Sequence, residues 1–153
     1  MPRHQVSVEA VINAPAKLAY AIIADYRDGH PHILPKPPFV SLEVERGGTG
    51  AGTVTRCQMR VLGRTRTFRA EITEPDPGRV LVETDVDSGT VTTFTVDPVG
   101  HGSRVTITTD IECRDGLLGR VERFIVTRLL QPLYVREIEQ LGAVASERAK
   151  SNG

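Results

Sequence analysis

The sequence predicts an α+β fold in which a seven-stranded antiparallel sheet curves around one long C-terminal helix, with two short helices between strands one and two. Three observations predict it. Seven short β-branched runs follow one another between residues 4 and 112 with turn residues between them. One helical pattern then runs from Asp115-Gly116 to about Lys150. The only other helical signals, a short helix and a single turn, sit between the first two strands. A meander of strands ending in one amphipathic helix can bury that helix only by bending the sheet around it. The space left between them suits an apolar molecule.

Residues 4 to 12 alternate, with Val6, Val8, Ala10 and Ile12 on one side and Gln5, Ser7 and Glu9 on the other. Period two over this length is a half-buried strand. Asn13 is expected to cap the next element and Pro15 to sit in its first turn, where its missing N–H costs nothing. Leu18, Ala21, Ile22 and Tyr26 recur at helical spacing, giving a short helix to about Asp25. Residues 27 to 38 hold four prolines and read as a shaped loop with a single turn around His32 to Leu34.

Residues 39 to 45 form the next strand, and the glycine cluster at 47 to 52 reads as a flexible hairpin turn. It lacks the order of a phosphate-binding loop, and no helix follows it. Residues 53 to 62 and 64 to 74 flank Gly63 as a hairpin, and Pro75-Asp76-Pro77-Gly78 turns the chain again. Residues 79 to 86 and 90 to 96 pair around Asp87-Ser88-Gly89, and residues 98 to 103 turn into the last strand, 104 to 112. The final helix repeats Leu117, Val121, Phe124, Ile125, Leu129, Leu133, Ile138, Leu141 and Val144 at intervals of three or four. Pro132 is expected to kink it.

The length, 153 residues, fits one domain over 1–153 with one core. Lys plus Arg equals Asp plus Glu at 19 each, which argues against nucleic acid or an anionic membrane as the main partner. No apolar run is long enough for a membrane span, and the N-terminus lacks a signal-peptide core, so a cytoplasmic protein, monomer or homodimer, is expected. Cys57 and Cys113 have no paired-cysteine motif and no neighbouring histidine, so they read as free thiols. No metal or other cofactor is expected.

Ile12-Asn13-Ala14-Pro15 opening a helix that ends Ala24-Asp25-Tyr26 resembles the START-like superfamily, also called Bet v 1-like or SRPBCC. Gly50-Ala51-Gly52-Thr53, Glu74 through Arg79, and Pro98 through Val105 resemble its turns, and its polyketide cyclase/dehydrase and lipid-transport branch is the most similar. The resemblance implies a helix-grip fold enclosing a cavity for lipids, sterols, polyketides or hormones, with ring closure or dehydration in some members. Related sequences often carry a tryptophan between Arg27 and Pro35, and this chain has none.

Alternation places Thr55, Cys57, Met59 and Val61 on the inner face of the third strand and Phe68, Ala70 and Ile72 on that of the fourth. On the fifth and sixth strands Val80, Val82, Thr84, Thr92, Phe94 and Val96 are expected inward. The expected ligand contacts are Tyr26, Ile33, Cys57, Met59, Phe68, Ala70, Val82, Thr84, Phe94, Phe124 and Tyr134. Such a wall suits a small hydrophobic ligand oriented by a few hydroxyls.

The candidate proton donors are Tyr26, His32 and Tyr134. A phenol's ordinary pKa of about 10 requires help from neighbours for that role, and His30 and His32 read equally as surface-loop residues. Arg56, Arg60, Arg64, Arg66 and Arg69 are the densest basic run, with Arg56, Arg60 and Arg69 expected on the convex face, open to an acidic partner. The favoured function is binding, with transport as an extension, of a lipid- or polyketide-like ligand. A cyclase or dehydratase using a pocket Tyr or His is the alternative. The discriminator is the cavity's polar inventory: two or more converging ionisable groups favour catalysis.

Overall fold

A computed structural model describes residues 2–151. In chain order the elements are β1 (Arg3–Ile12), α1 (Ala16–Ala24), α2 (His30–Ile33), β2 (Phe39–Arg46), β3 (Val54–Val61), β4 (Arg64–Asp76), β5 (Val80–Asp85), β6 (Val91–Val99), β7 (Gly102–Glu112) and α3 (Gly116–Ser151). The strands form one antiparallel sheet in the order β1-β7-β6-β5-β4-β3-β2. Only the β1–β7 pairing joins distant parts of the chain, so the connection through α1 and α2 carries the chain from one edge to the other. This is the helix-grip arrangement.

The core forms where α1 and the second half of α3 meet the sheet. Ala19, Ile22 and Ile23 of α1 lie against Phe94 and Val96 of β6 and Val105 and Ile107 of β7, all essentially fully buried. From α3, Leu133, Tyr134, Glu137, Ile138, Leu141 and Ala145 form the buried stripe, spaced three or four residues apart. The first half of α3 contributes far less. Leu117, Leu118 and Phe124 are 76%, 62% and 65% exposed. Phe124, expected against the ligand, therefore points to solvent. In this half the partly buried face carries Arg123, Val126, Thr127 and Leu130, with Thr127 bonded to His4 of β1 at 2.8 Å, and Leu117, Val121 and Phe124 lie off that face. The helix runs unbroken through Pro132.

Three local expectations need correction. The residue preceding α1 is Pro15 in extended conformation, and no side chain caps the helix, so Asn13 does not perform that role. The turn between β6 and β7 is tighter than expected, because β6 continues through Pro98 to Val99 and β7 begins at Gly102. The glycine cluster is not a loose turn: Tyr26 N–H donates to the Gly48 carbonyl (2.8 Å) and Gly50 N–H to the Ala24 carbonyl (2.9 Å), docking it on the end of α1. Glu74 completes the clamp, accepting from Ala51 N–H (2.7 Å) and from the Tyr20 hydroxyl (2.6 Å). Gly50 has φ of 63°, and a Cβ there would strike the Glu74 carboxylate, so the cluster needs glycine for close packing.

Candidate functional site

A cavity of about 440 Å³ lies between the concave face of the sheet and α3, within the size range of small-molecule sites. Its wall is mainly hydrocarbon. Leu34, Phe39 and Leu42 close one side, Met59, Val61, Phe68 and Ala70 form the floor from β3 and β4, and Leu130 and Leu133 form the roof from α3.

At the inner end the lining turns polar. Glu83 of β5 and Glu137 of α3 both face the cavity, with His30 of α2 beside them. The Tyr26 hydroxyl donates to Glu83 Oε2 at 2.6 Å, and His30 Nε2 lies 3.6 Å from the same oxygen. The Tyr26 and His30 rings stack with centroids 4.5 Å apart, and Phe94 meets the imidazole edge-on at 5.5 Å. His30 Nδ1 is 2.8 Å from the Ile23 carbonyl oxygen. A carbonyl only accepts, so Nδ1 carries a proton and Nε2 is the nitrogen left to exchange one.

Glu137 is 2% exposed, and among the described residues its carboxyl has no ion-pair partner. Burial, reinforced by the charge of Glu83, pushes its pKa well above the ordinary carboxylate value and favours the neutral acid. A hydroxyl chain completes the polar end: Tyr134 OH is 2.5 Å from Thr109 Oγ1, which is 2.9 Å from Thr92 Oγ1. Asp85 lines the cavity too, but both its oxygens are occupied, by Arg69 N–H and by the Ser88 N–H and hydroxyl, so it braces the β5–β6 turn.

Several expected residues line this space: Cys57, Met59, Phe68, Ala70, Phe94 and Tyr134. Others do not. Val82 and Thr84 lie on the opposite face, because β5 presents Leu81, Glu83 and Asp85 inward. Alternation correctly gave two faces, but choosing the more apolar one inverted the strand. Ile33 is buried in the core away from the cavity. Tyr26 does not line the cavity and reaches it only through Glu83, which it bonds, and His30, on which it stacks. His32 is exposed, with its carbonyl accepting from Gln140 Nε2 (3.3 Å), while His30, two residues earlier, faces inward.

The phenols fail as acids on energetic grounds. Burial and Glu83 raise Tyr26, and burial raises Tyr134 despite the opposing Thr109 bond. Tyr26 serves as a neutral donor to Glu83, and Tyr134 shares a hydrogen bond with Thr109. Burial likewise pushes the Cys57 thiol up to about 12, leaving it without nucleophilic character. Among the described residues no group of three or more His, Cys, Asp or Glu side chains is placed to hold a metal ion.

The sequence reading missed Glu83 and Glu137. A signal existed for Glu137, which falls four residues from both Leu133 and Leu141 on the apolar stripe of α3. A carboxyl at a core position is a conflict that structure must resolve functionally or by neutralisation.

Gly29 sets the position of His30. Its N–H and that of His30 both donate to the Asp25 carbonyl, at 3.0 and 2.7 Å. A Cβ on Gly29 would collide with the Ile22 carbonyl oxygen. Gly29→Ala should therefore destabilise the fold by about 1–3 kcal/mol and displace the imidazole. Urea unfolding measures the first effect, and the His30 ring resonances measure the second.

Related folds place this geometry in context. No curated protein sequence matches the chain. Among solved structures, the KanY protein is 27% identical with a TM-score of 0.83, covering 95% of this chain and 99% of its own. The Zhui aromatase/cyclase from Streptomyces sp. R1128 is 19% identical with a TM-score of 0.79, covering 99% of both chains. A START superfamily protein from Mycobacterium smegmatis is 16% identical with a TM-score of 0.73, covering 94% of this chain and 98% of its own. The last two likenesses concern the fold alone. A family model described as polyketide cyclase / dehydrase and lipid transport matches residues 3–146, nearly the whole of the sheet and helix that build the cavity, and the chain belongs to that family.

Proposed function

We propose that this chain binds a largely apolar carbonyl compound and moves protons on it, in the manner of a cyclase or dehydrase. One observation carries the reading: a buried carboxyl, Glu137, and a tautomer-fixed imidazole, His30, open into the same apolar cavity. A pocket built only to carry a lipophile gains nothing from burying an unpaired carboxyl, which costs stability. A proton donor and a proton acceptor in one apolar site are what acid–base catalysis requires.

For a β-hydroxy ketone the steps balance as follows. His30 Nε2 takes the proton from Cα, and the C–H electron pair becomes the Cα=Cβ bond. The Cβ–O bond breaks, and the departing hydroxyl leaves as water with the Glu137 proton. The imidazolium formed is stabilised by the Glu83 carboxylate, which Tyr26 holds in place. Proton return from His30 to Glu137 through water resets the site. The Thr92–Thr109–Tyr134 hydroxyls, whose two internal bonds use two of their three protons, leave one donor for the substrate carbonyl.

Carriage without chemistry is the second reading, favoured by the hydrocarbon wall. The two separate in deuterium oxide with a long-chain aryl 1,3-diketone. Catalysed exchange at the central carbon, lost in His30→Gln while displacement of an apolar dye persists, supports catalysis. Saturable binding with exchange no faster than in buffer supports a carrier.

A further inference from the structure

The cavity is charged in opposite senses at its two ends. The inner end holds Glu83 and Glu137, with no Lys or Arg among the lining residues there. Among the described residues the only Lys or Arg lining the cavity are Arg60 and Arg66, both exposed, beside Leu62, which is 74% exposed at the β3–β4 turn. Arg66 pairs with Met59 and shares its inward face, while Arg60, on the alternate face of β3 as expected, reaches the rim from beside the turn. Among the described residues neither guanidinium has an ion-pair partner, whereas Arg69 of the same basic run is tied to Glu45 at 3.2 Å.

The sheet register gives the separation. Glu83 pairs with Ile72 on β4, and Arg66 lies six residues before Ile72 on that strand. At 3.3 Å per residue the two ends stand roughly 20 Å apart before side-chain reach is subtracted. The intervening wall is apolar, through Phe68, Ala70 and Met59.

We propose that the cavity takes an amphiphile end-on, with a phosphate- or sulfate-type anion held at the rim by Arg60 and Arg66 and a neutral hydroxyl or carbonyl at Glu137. The inference rests on the cavity being the binding site, and it adds the polarity of the ligand. An anion at the inner end would face Glu83 across a low-dielectric space and be repelled. At the rim, a guanidinium fork matches its geometry. Fatty-acid-like ligands would thus bind with the carboxylate outward, never buried.

The test uses ω-hydroxydodecyl phosphate, dodecyl phosphate and dodecanediol as competitors of an apolar fluorescent probe. The phosphate-bearing compounds should bind about tenfold more tightly than the diol, one charge-assisted contact's worth, with the advantage shrinking at high salt. The double variant Arg60→Gln/Arg66→Gln should erase that advantage while leaving diol affinity unchanged. Both positions are exposed, and circular dichroism checks that the variant folds. Glu137→Gln should keep the phosphate advantage, since it acts at the other end.

Equal affinities for all three compounds, or an advantage that survives the double variant, would overturn the polarity while leaving the cavity reading intact. No competition by any compound would remove both. Vesicles of phosphatidylcholine with and without phosphatidylglycerol identify the anion's source. Arginine-dependent capture together with competition by soluble phosphates places it on a lipid headgroup entering the cavity. Competition without capture places it on a free amphiphile. Capture without competition contradicts the proposal in favour of surface docking.

Discussion

Glu137→Gln should reduce turnover by about a hundredfold to ten-thousandfold while leaving apolar ligand affinity nearly unchanged, the span expected when one positioned proton donor is lost. The side chains are isosteric, so the cavity keeps its shape. Glutamine still donates a hydrogen bond but has no proton to give. His30→Gln should cost a comparable factor by removing the partner base. If the two groups act as a unit, the double variant should be little worse than either single one. Steady-state rates with a hydrophobic β-hydroxy ketone, alongside dye displacement, provide the check. Retention of full activity in Glu137→Gln would assign proton donation elsewhere.

The same substitution should raise stability at neutral pH. Glu137 binds its proton more tightly in the folded chain than in the unfolded one, because burial and Glu83 disfavour its charge. Below the unfolded carboxyl's pKa of about 4.3 both states are protonated, and the side chain costs nothing through ionisation. Above it the unfolded chain releases the proton and the folded chain does not. Stability then falls by up to about 1.4 kcal/mol per pH unit, and the fall ends once pH exceeds the folded pKa. Glu137→Gln lacks this slope. Urea unfolding of both proteins across the acid-to-neutral range should show curves that agree in acid and diverge as pH rises, with the variant the more stable. Comparing the difference cancels the other titrating groups, which both proteins share. Loss of activity with gain of stability is the signature of a group retained for chemistry.

Much of the fold was legible because it depends on periodicity and turns. The hairpin at Gly63, the meander from 53 to 112 and the terminal helix all follow from local pattern, and the strands lie within a few residues of their expected bounds. The site was less legible because it departs from those rules. On β5 the apolar face, Val80 and Val82, looks outward while Glu83 looks in, so the usual guide to burial selected the wrong side. The Pro-rich segment coils at residues 30–33 into a short helix, which turns His30 inward and His32 outward, an outcome that extended-chain reasoning could not deliver. Phe124 lies on a different helix face from the buried stripe, which passes through Val126, Thr127 and Leu130, so apolar character alone selected the wrong side of the first half of α3.

Carbon-13 NMR of glutamate carboxyls, recorded against pH for the native protein and for Glu137→Gln, reads the decisive proton directly. One carboxyl should remain protonated at neutral pH in the native protein, and its signal should vanish in the variant. Were every glutamate to ionise in the ordinary range near pH 4.3, the inner end of the cavity would hold no acid, and the chemistry assigned to it would have no source.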